Sequence, residues 1–222
     1  MKKKELMPYL FLAPAVFFIL AFLAYPLLTV FFYSVQSYDV TKIADKGFVG
    51  FKNFKTLFAD KIFYRSLSVS VKWVLTEVVS QLVIGMILAL LLDKKFKGRG
   101  IYRCIVFFPW AVSGVLTSML WSLIYNENIG LLNSICKDLG LITKNMAWLG
   151  NMKTVFKSTA VAELWRGIPF FAITILAALQ NIPGDLHEAS VMDGANTFQE
   201  IFLIKIPILK DTIILTTLLR AV

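Results

Sequence analysis

Apolar residues along the chain fall into blocks of membrane length, separated by polar stretches in which Lys and Arg outnumber Asp and Glu. A hydrocarbon core of roughly 30 Å needs about 20 apolar residues as a helix. The blocks Met7–Ser34, Ser66–Leu92, Cys104–Tyr125 and Ser158–Gln180 reach that length, and a further one begins at Thr212–Val222. At a rise of about 1.5 Å per residue the last covers only about 16 Å. The pattern therefore predicts four full spans plus the start of a fifth, with the sequence stopping inside a helix, as in a C-terminally incomplete protein. The first block follows Lys2, Lys3 and Lys4, as a secretory signal would. Signals carry an apolar stretch of only about 7–15 residues, so this block is read as a retained span.

Composition supports the pattern. Hydrophobic residues make up 58% of the 222-residue chain, more than a soluble core of this size normally holds, and the chain is read as an all-α, polytopic membrane protein. Its organisation divides into an N-terminal helix with an external segment, 1–65, and a core, 66–222. Basic residues balance between the two sides of the membrane when all are counted. The positive-inside rule weights short flanks and the first helix, so Lys2, Lys3, Lys4 and the cluster Lys94, Lys95, Lys97 and Arg99 assign the N-terminus to the cytoplasm. Parity assigns the long polar loop 181–211 to the same side. The net charge of +9 is flank chemistry near anionic lipid; no soluble basic domain is present to bind nucleic acid.

No catalytic motif is found: G-x-x-x-x-G-K-[ST], H-E-x-x-H and C-x-x-C are all missing. The chain has one histidine, His187, which cannot build a His-rich metal site. No metal and no cofactor are expected in this chain, and any energy source belongs to another polypeptide. His187 reads as a solvated loop residue in preference to a proton relay. Cys104 and Cys136 fall on opposite faces of the bilayer, whereas a disulfide needs Cα atoms within about 7 Å, so free thiols are expected.

Ionisable groups inside a span are costly and face a cavity or a partner. Lys72 is close enough to a span end to snorkel. Glu77 lies deeper and either lines a cavity or packs between helices. Glu163 and Arg166, three residues apart on one helix face, can pair, as a structural pair first and a substrate contact second. Pro169, beside Gly167, removes a backbone hydrogen bond and should kink the fourth span into a pore-lining element. Glu77, Glu163, Arg166 and Pro169 are the candidate substrate pathway. Trp110, Trp121, Tyr125, Trp148 and Trp165 lie near span ends and read as interfacial anchors.

The loop 181–211 is longer than a connector needs. Pro183 and Gly184 break the preceding helix, and Asp185 with Glu188 has the spacing of a capping box. The short helix that follows carries Ala189, Ser190, Met192, Gly194 and Ala195, with Ser190 and Gly194 as a small-residue strip. A second box, Thr197 with Glu200, starts a helix whose Phe198, Ile201 and Phe202 form an apolar stripe. Pro207 ends that pattern or bends the chain into the next span. Two short helices at an angle suit a groove on a soluble partner, the alternative being that they cover the membrane surface.

These residues carry a family resemblance. Glu188, Ala189, Ser190, Gly194, Ile204 and Pro207 match the Glu-Ala-Ala, Gly, Ile, Leu-Pro spacing of the cytoplasmic loop of ATP-binding-cassette importer permeases, with Asp193, Gly194 and Ala195 in the form typical of the sugar branch. Ser190 replaces the second Ala, Ile206 replaces Leu, and Asp211 stands where many relatives have Pro. The segments Pro8–Pro14 with Tyr25 and Pro26, Phe48–Phe54, Gly98–Arg103, Phe108–Trp110, Gly130–Asn133, Trp148–Gly150 and Trp165–Gly167 extend the likeness along nearly the whole chain. It resembles the first permease subunit of the maltose and glycerol-phosphate type.

That resemblance implies the type I importer fold with six core spans, roughly two of them beyond this sequence. It implies a heterodimer with a second permease subunit, two ATPase subunits that use ATP and Mg, and an extracytoplasmic solute-binding protein. The location implied is the cytoplasmic membrane of a bacterium or archaeon, as a multi-pass protein in contact with lipid. Glu188, Ala189, Ser190, Asp193, Gly194, Ala195, Phe198, Ile204 and Pro207 become an ATPase-coupling loop, and the cargo a carbohydrate or related polyol. The chain itself would catalyse nothing. The competing reading is a self-sufficient secondary transporter or channel driven through charges such as Glu77; a membrane-bound enzyme lacks an active-site cluster.

Overall fold

The computed structural model describes residues 3–37 and 47–221. Lys2 of the basic flank, residues 38–46 of the external segment and Val222 at the end of the fifth block lie outside the described residues. Among the described residues all regular structure is helical apart from a bridge between Gln36 and Phe48. The chain divides into two compact units, Met1–Val69 and Ser70–Val222.

In the first unit, α1 (Lys3–Ile19) passes through a π-helical turn at Leu20–Ala24 into α2 (Tyr25–Ser34), so the first span is one continuous rod. None of its long apolar stretch is buried, as suits a helix whose solvent is lipid. A short helix, α3 (Lys52–Ala59), follows. Its Asn53 donates from Nδ2 to the carbonyls of Ser34 at 2.9 Å and Gln36 at 2.8 Å, and Val49 N–H donates to Val35 at 2.9 Å. These bonds satisfy carbonyls that the end of α2 leaves without helical partners, which gives the Phe48–Phe54 motif a structural purpose. Helix α4 (Lys61–Asp93) is the second span and starts before the predicted Ser66.

In the second unit the third predicted span proves to be two helices. Helix α5 (Arg99–Ala111) and α6 (Gly114–Ile124) meet at a 95° bend. Pro109 lacks the N–H that would continue the ladder, Val112 is extended, and the Ser113 hydroxyl accepts from Leu116 N–H at 3.3 Å, starting a new helix. A proline followed four residues later by an N-capping serine was the signal in the sequence. Helix α7 (Leu131–Asp138) leads to α8 (Val155–Leu179), which continues through Pro169 as a single helix. Next come α9 (Gly184–Met192), the short α10 (Thr197–Gln199), a π-helical turn at Glu200–Lys205 and α11 (Ile206–Ala221). Helix α11 therefore begins before the predicted Thr212, and Pro207 sits inside a continuous rod.

Both π turns lie just ahead of a proline. A proline ring collides with the carbonyl four residues earlier, which would be that of Phe22 for Pro26 and of Leu203 for Pro207. The wider turn changes the register there: Tyr25 N–H bonds Leu20 and Ile206 N–H bonds Ile201, five residues back in each case.

Helix α8 is the axis of the second unit. Phe171, Ile175, Leu176 and Leu179 form its core with Val78, Ala89 and Leu92 of α4 and Leu209 of α11. Helices in lipid pack where small residues let backbones approach. A Cβ on Gly85 would lie 2.5 Å from that of Phe171 and 3.1 Å from Ala172 N, and one on Gly167 would overlap the Gln81 carboxamide. On α11, Leu209, Ile213, Thr216 and Arg220 make an i, i+4, i+7, i+11 stripe in which Leu209 and Thr216 are buried.

Side chains tie off the ends of these helices. Arg99 and Arg103 donate to the carbonyls of Asp93 at 3.3 Å and Leu92 at 3.2 Å, closing the C-terminus of α4. Buried Asn133 accepts at Oδ1 from Met146 N–H at 3.1 Å and Trp148 Nε1 at 2.9 Å, and donates to the carbonyls of Glu127 and Met146. That single amide holds the segment 126–148 in place.

Gly85→Leu should destabilise the protein by about 1–3 kcal/mol through overpacking against Phe171, lowering the midpoint of a thermal melt in detergent. Gly100→Leu, where an added Cβ meets nothing within 4 Å, should leave the melt unchanged or raise it.

Candidate functional site

The polar loop differs in three ways from its predicted capping pattern. Helix α9 starts at Gly184 behind Pro183, with no side-chain cap, so Asp185 is not the N-cap but an acid within the first turn, where the helix dipole favours it. Gly194 does not share a helical strip with Ser190, because α9 stops at Met192. Gly194 has φ +75, its N–H bonds Val191 at 3.1 Å, and Ala195 N–H bonds Ser190 at 2.9 Å. This is a Schellman motif, in which glycine supplies the left-handed residue that ends the helix. The second capping box lies one residue earlier than predicted: Asn196 accepts from Gln199 N–H at 2.9 Å and Gln199 Oε1 accepts from Asn196 N–H at 2.8 Å.

That shift releases Glu200 from capping. It is buried, and one oxygen, Oε1, accepts from His187 Nδ1 at 2.8 Å and from Lys205 Nζ at 3.0 Å. His187 is thus not merely solvated; with Glu200 it ties α9 to the rod that contains α10 and α11. Burial pushes the Glu200 carboxyl up, but the hydrogen bonds and charges of Lys205 and His187 outweigh it and hold the group below the ordinary carboxylate range. The sequence pattern reads His187 as solvated and Glu200 as a cap and does not pair them, because they become neighbours only once Schellman turn and capping box have folded the loop back.

The loop then presents a mixed surface. Glu188, Ala189, Asp193, Gly194, Phe198 and Pro207 are exposed, Ala195 and Ile204 are half-buried, and Ser190 is buried with its hydroxyl donating to the His187 carbonyl at 2.7 Å. Phe198 is 75% exposed and Met192, which the motif did not include, 87%.

A second candidate is a cavity of about 470 Å³ lined by Trp73, Thr117, Trp121, Tyr125, Glu163 and Arg166 among others. Of the predicted pathway residues, Glu163 and Arg166 line it, with Arg166 Nη1 3.6 Å from Glu163 Oε1. Glu77 and Pro169 do not. Glu77 is buried between helices and accepts from Gln81 Nε2 at 2.8 Å, so the packing alternative is the one realised. Pro169 is buried within α8, which continues past it. Sequence reading missed Arg220, whose Nη2 donates to Glu163.

The aromatic residues read as anchors form a packed group instead. Trp121 lies 5.2 Å from Tyr125 and 6.1 Å from Trp165 between ring centroids, and Tyr125 is 6.5 Å from Trp148. Tyr125 is buried and donates to the Ser158 carbonyl at 2.9 Å; Trp110 alone of the five is largely exposed. Ring faces with a carboxylate and a guanidinium can hold a polar solute that also has apolar faces. Cys104 and Cys136 are free thiols, and among the described residues no three His, Cys, Asp or Glu side chains converge as a metal site would require.

Residues 81–222 match the family described as binding-protein-dependent transport system inner membrane component. The trehalose/maltose transport system permease protein MalF of Thermococcus litoralis is 36% identical over 214 residues, covering 96% of this chain and 72% of that protein. The diacetylchitobiose uptake system permease protein NgcF of Streptomyces coelicolor is 34% identical over 179 residues, covering 76% of this chain and 51% of that one. Among solved structures, a bacterial alginate ABC transporter in complex with an alginate pentasaccharide-bound periplasmic protein superposes with a TM-score of 0.81 at 23% identity, covering 98% of this chain and 72% of the other. At that identity the likeness is one of fold.

The lowered Glu200 value fixes the sign of a pH effect. The clamp's contribution is fully present above the ordinary carboxylate pKa of about 4.3 and is lost as pH falls below it through the folded value. Amide exchange across 184–205, corrected for intrinsic rate, should hold steady from neutral pH to that point and rise below it. Glu200→Gln should remove the dependence.

Proposed function

The chain belongs to the family of binding-protein-dependent transport system inner membrane components, and from that premise we propose that it is a permease subunit of an ATP-driven importer of a carbohydrate. As a member of a transport permease family it is a multi-pass membrane protein and not a catalytic subunit. The observation that carries the reading is the loop 181–211: its exposed acids and apolar side chains are held on a folded scaffold by the Schellman turn, the capping box and the Glu200 clamp. A disordered polar connector would have none of these.

In this reading Glu188, Ala189, Asp193, Gly194 and Phe198 meet an ATPase subunit, and Met192 adds an apolar anchor. Ser190, Ala195 and Ile204 support that surface from within, and Pro207, exposed, sits where the rod leaves it. The loop and the N-terminus are cytoplasmic. Two ATPase subunits bind ATP and Mg, a second permease subunit completes the pathway, and an extracytoplasmic binding protein delivers the solute. Closure of the ATPase pair rocks the helices as rigid bodies between two states. The trehalose/maltose and diacetylchitobiose systems of the two relatives support a saccharide cargo. The indole and phenol rings of the cavity suit the apolar faces of a sugar, and Glu163 and Arg166 suit its hydroxyls.

Docking is tested in the assembled complex. Glu188→Arg and Phe198→Asp should each cut ATPase co-purification by roughly 30-fold, the loss of one interface anchor, with membrane insertion unchanged. Gly194→Val should fail through the backbone, whereas Gly194→Asn, which tolerates the left-handed conformation, should bind. Normal co-purification of the first two variants would sink the docking model. For the cargo, the reconstituted complex should hydrolyse ATP faster when its binding protein is loaded with one saccharide from a panel. Uptake that survives ATP depletion and collapses with an ion gradient would favour a secondary transporter.

A further inference from the structure

A larger cavity, of about 890 Å³, lies among the ends of α4 and α8, the start of α9 and the π turn at Glu200–Lys205. Its apolar lining comes from Ile87, Leu90 and Leu91 of α4, Leu179 of α8 and Ile182 just beyond it. Ile87 and Leu91 are each 52% exposed, so packing within the unit leaves this wall open. Polar residues follow at once along α4: Asp93, Lys94 and Lys95 line the same cavity, as does Gln180 after Leu179. In a spanning helix that change of residue type marks where hydrocarbon gives way to headgroups. The cavity therefore straddles that level, with an apolar part at the depth of acyl chains and a charged part at the depth of phosphates.

Charge selects the occupant. Lys205 and His187 are both engaged by Glu200, at 3.0 and 2.8 Å. Lys94 and Lys95 are exposed, and neither forms a hydrogen bond or ion pair with any described residue. Their two ammonium groups against the one carboxylate of Asp93 leave a single positive charge. A phosphodiester carries one negative charge, and its oxygens accept charge-assisted hydrogen bonds from lysine. A zwitterionic headgroup would bring its own cation beside the two lysines and leave that charge uncompensated. A headgroup bearing hydroxyls neutralises it and can donate to Asp93.

We propose that this cavity binds an anionic phospholipid with a hydroxylated headgroup, of the phosphatidylglycerol type, its phosphate held by Lys94 and Lys95 and its chains along Ile87 and Leu91. Basic pockets between spanning helices recognise lipid phosphates in this way. Because the cavity is also lined by Gly184 and Thr197, the lipid fastens the polar loop to the end of the second span. The inference needs only that α4 and α8 cross a membrane. It stands apart from the docking reading, which is measured by ATPase co-purification.

The test titrates lipid into the complete importer, stripped of lipid in detergent with all its subunits present, and counts bound lipid by native mass spectrometry. Phosphatidylglycerol should bind roughly fivefold more tightly than phosphatidylcholine of the same chains, the worth of one charge near a membrane surface. Lys94→Gln combined with Lys95→Gln should weaken phosphatidylglycerol binding roughly 30-fold and erase the preference, with ATPase co-purification and the lipid-free melt unchanged. Lys97→Gln, in the same basic flank but outside the cavity, should bind as the wild type does, and soluble glycerol phosphate should not compete. Equal affinity for the two lipids, undiminished affinity in the double variant, or a loss in Lys97→Gln as large as that per lysine at Lys94 and Lys95 would each overturn the proposal. Competition by glycerol phosphate at matched concentration would make this a site for a free phosphate, and no bound lipid in the complete importer would mean that protein fills the cavity. Either outcome overturns it as well.

Discussion

Lipid gives helices no hydrophobic reason to associate, so they gather where backbones can come close enough for dispersion and hydrogen bonding. In residues 70–222 that approach happens at Gly85 and Gly167, the first against Phe171 and the second against Gln81. The rest of the unit depends on it. Gln81 occupies the space that Gly167 leaves, and from there it engages Glu77 and Arg220. A larger side chain at either glycine would push α4 and α8 apart and strand polar groups in a medium that cannot solvate them.

Helix ends leave backbone groups without intrahelical partners wherever they fall, and many side chains here serve them. Asn53 closes α2, Arg99 and Arg103 close α4, Ser113 opens α6, and Asn133 gathers the turn after it. The polar loop follows the same practice with a Schellman turn and a capping box. Its surface can be apolar and exposed because its backbone needs nothing further from a partner. Burial is thus spent on fixing shape, and recognition is left to the residues that remain outside.

Most of the architecture was legible in the sequence, because hydropathy over about 20 residues is a strong signal and the spans at Met7, Ser66 and Ser158 differ from the helices only at their ends. What escaped depended on local competition. Cys104–Tyr125 is apolar enough to span, but Pro109 and the Ser113 cap outrank hydropathy. Asp185 and Thr197 were plausible caps, yet Pro183 and Asn196 hold those positions. Asn196 wins since its side chain and that of Gln199 satisfy two backbone donors reciprocally. Glu163 and Arg166 could be paired by counting along one helix, whereas Arg220 reaches Glu163 from 57 residues away, and no period encodes that. Pro169 was legible as a proline inside a span, but its burial against neighbouring helices instead of the cavity was not.

The π turn at Glu200–Lys205 carries a consequence for how this helix shows itself to its neighbours. Each α-helical residue advances by about 100° around the axis, so a turn closed five residues back instead of four sets everything beyond it out of phase with everything before. The face of α11 that holds Leu209, Thr216 and Arg220 is not the one that counting forward from Phe198 would select. The turn acts as a phase shifter, orienting one end of the rod for the loop surface and the other for the interior. Gain or loss of a single residue there would leave the hydropathy profile intact and rotate Arg220 away from Gln81 and Glu163. Two chains indistinguishable by hydropathy could then differ in which side chains α11 brings to Gln81 and Glu163.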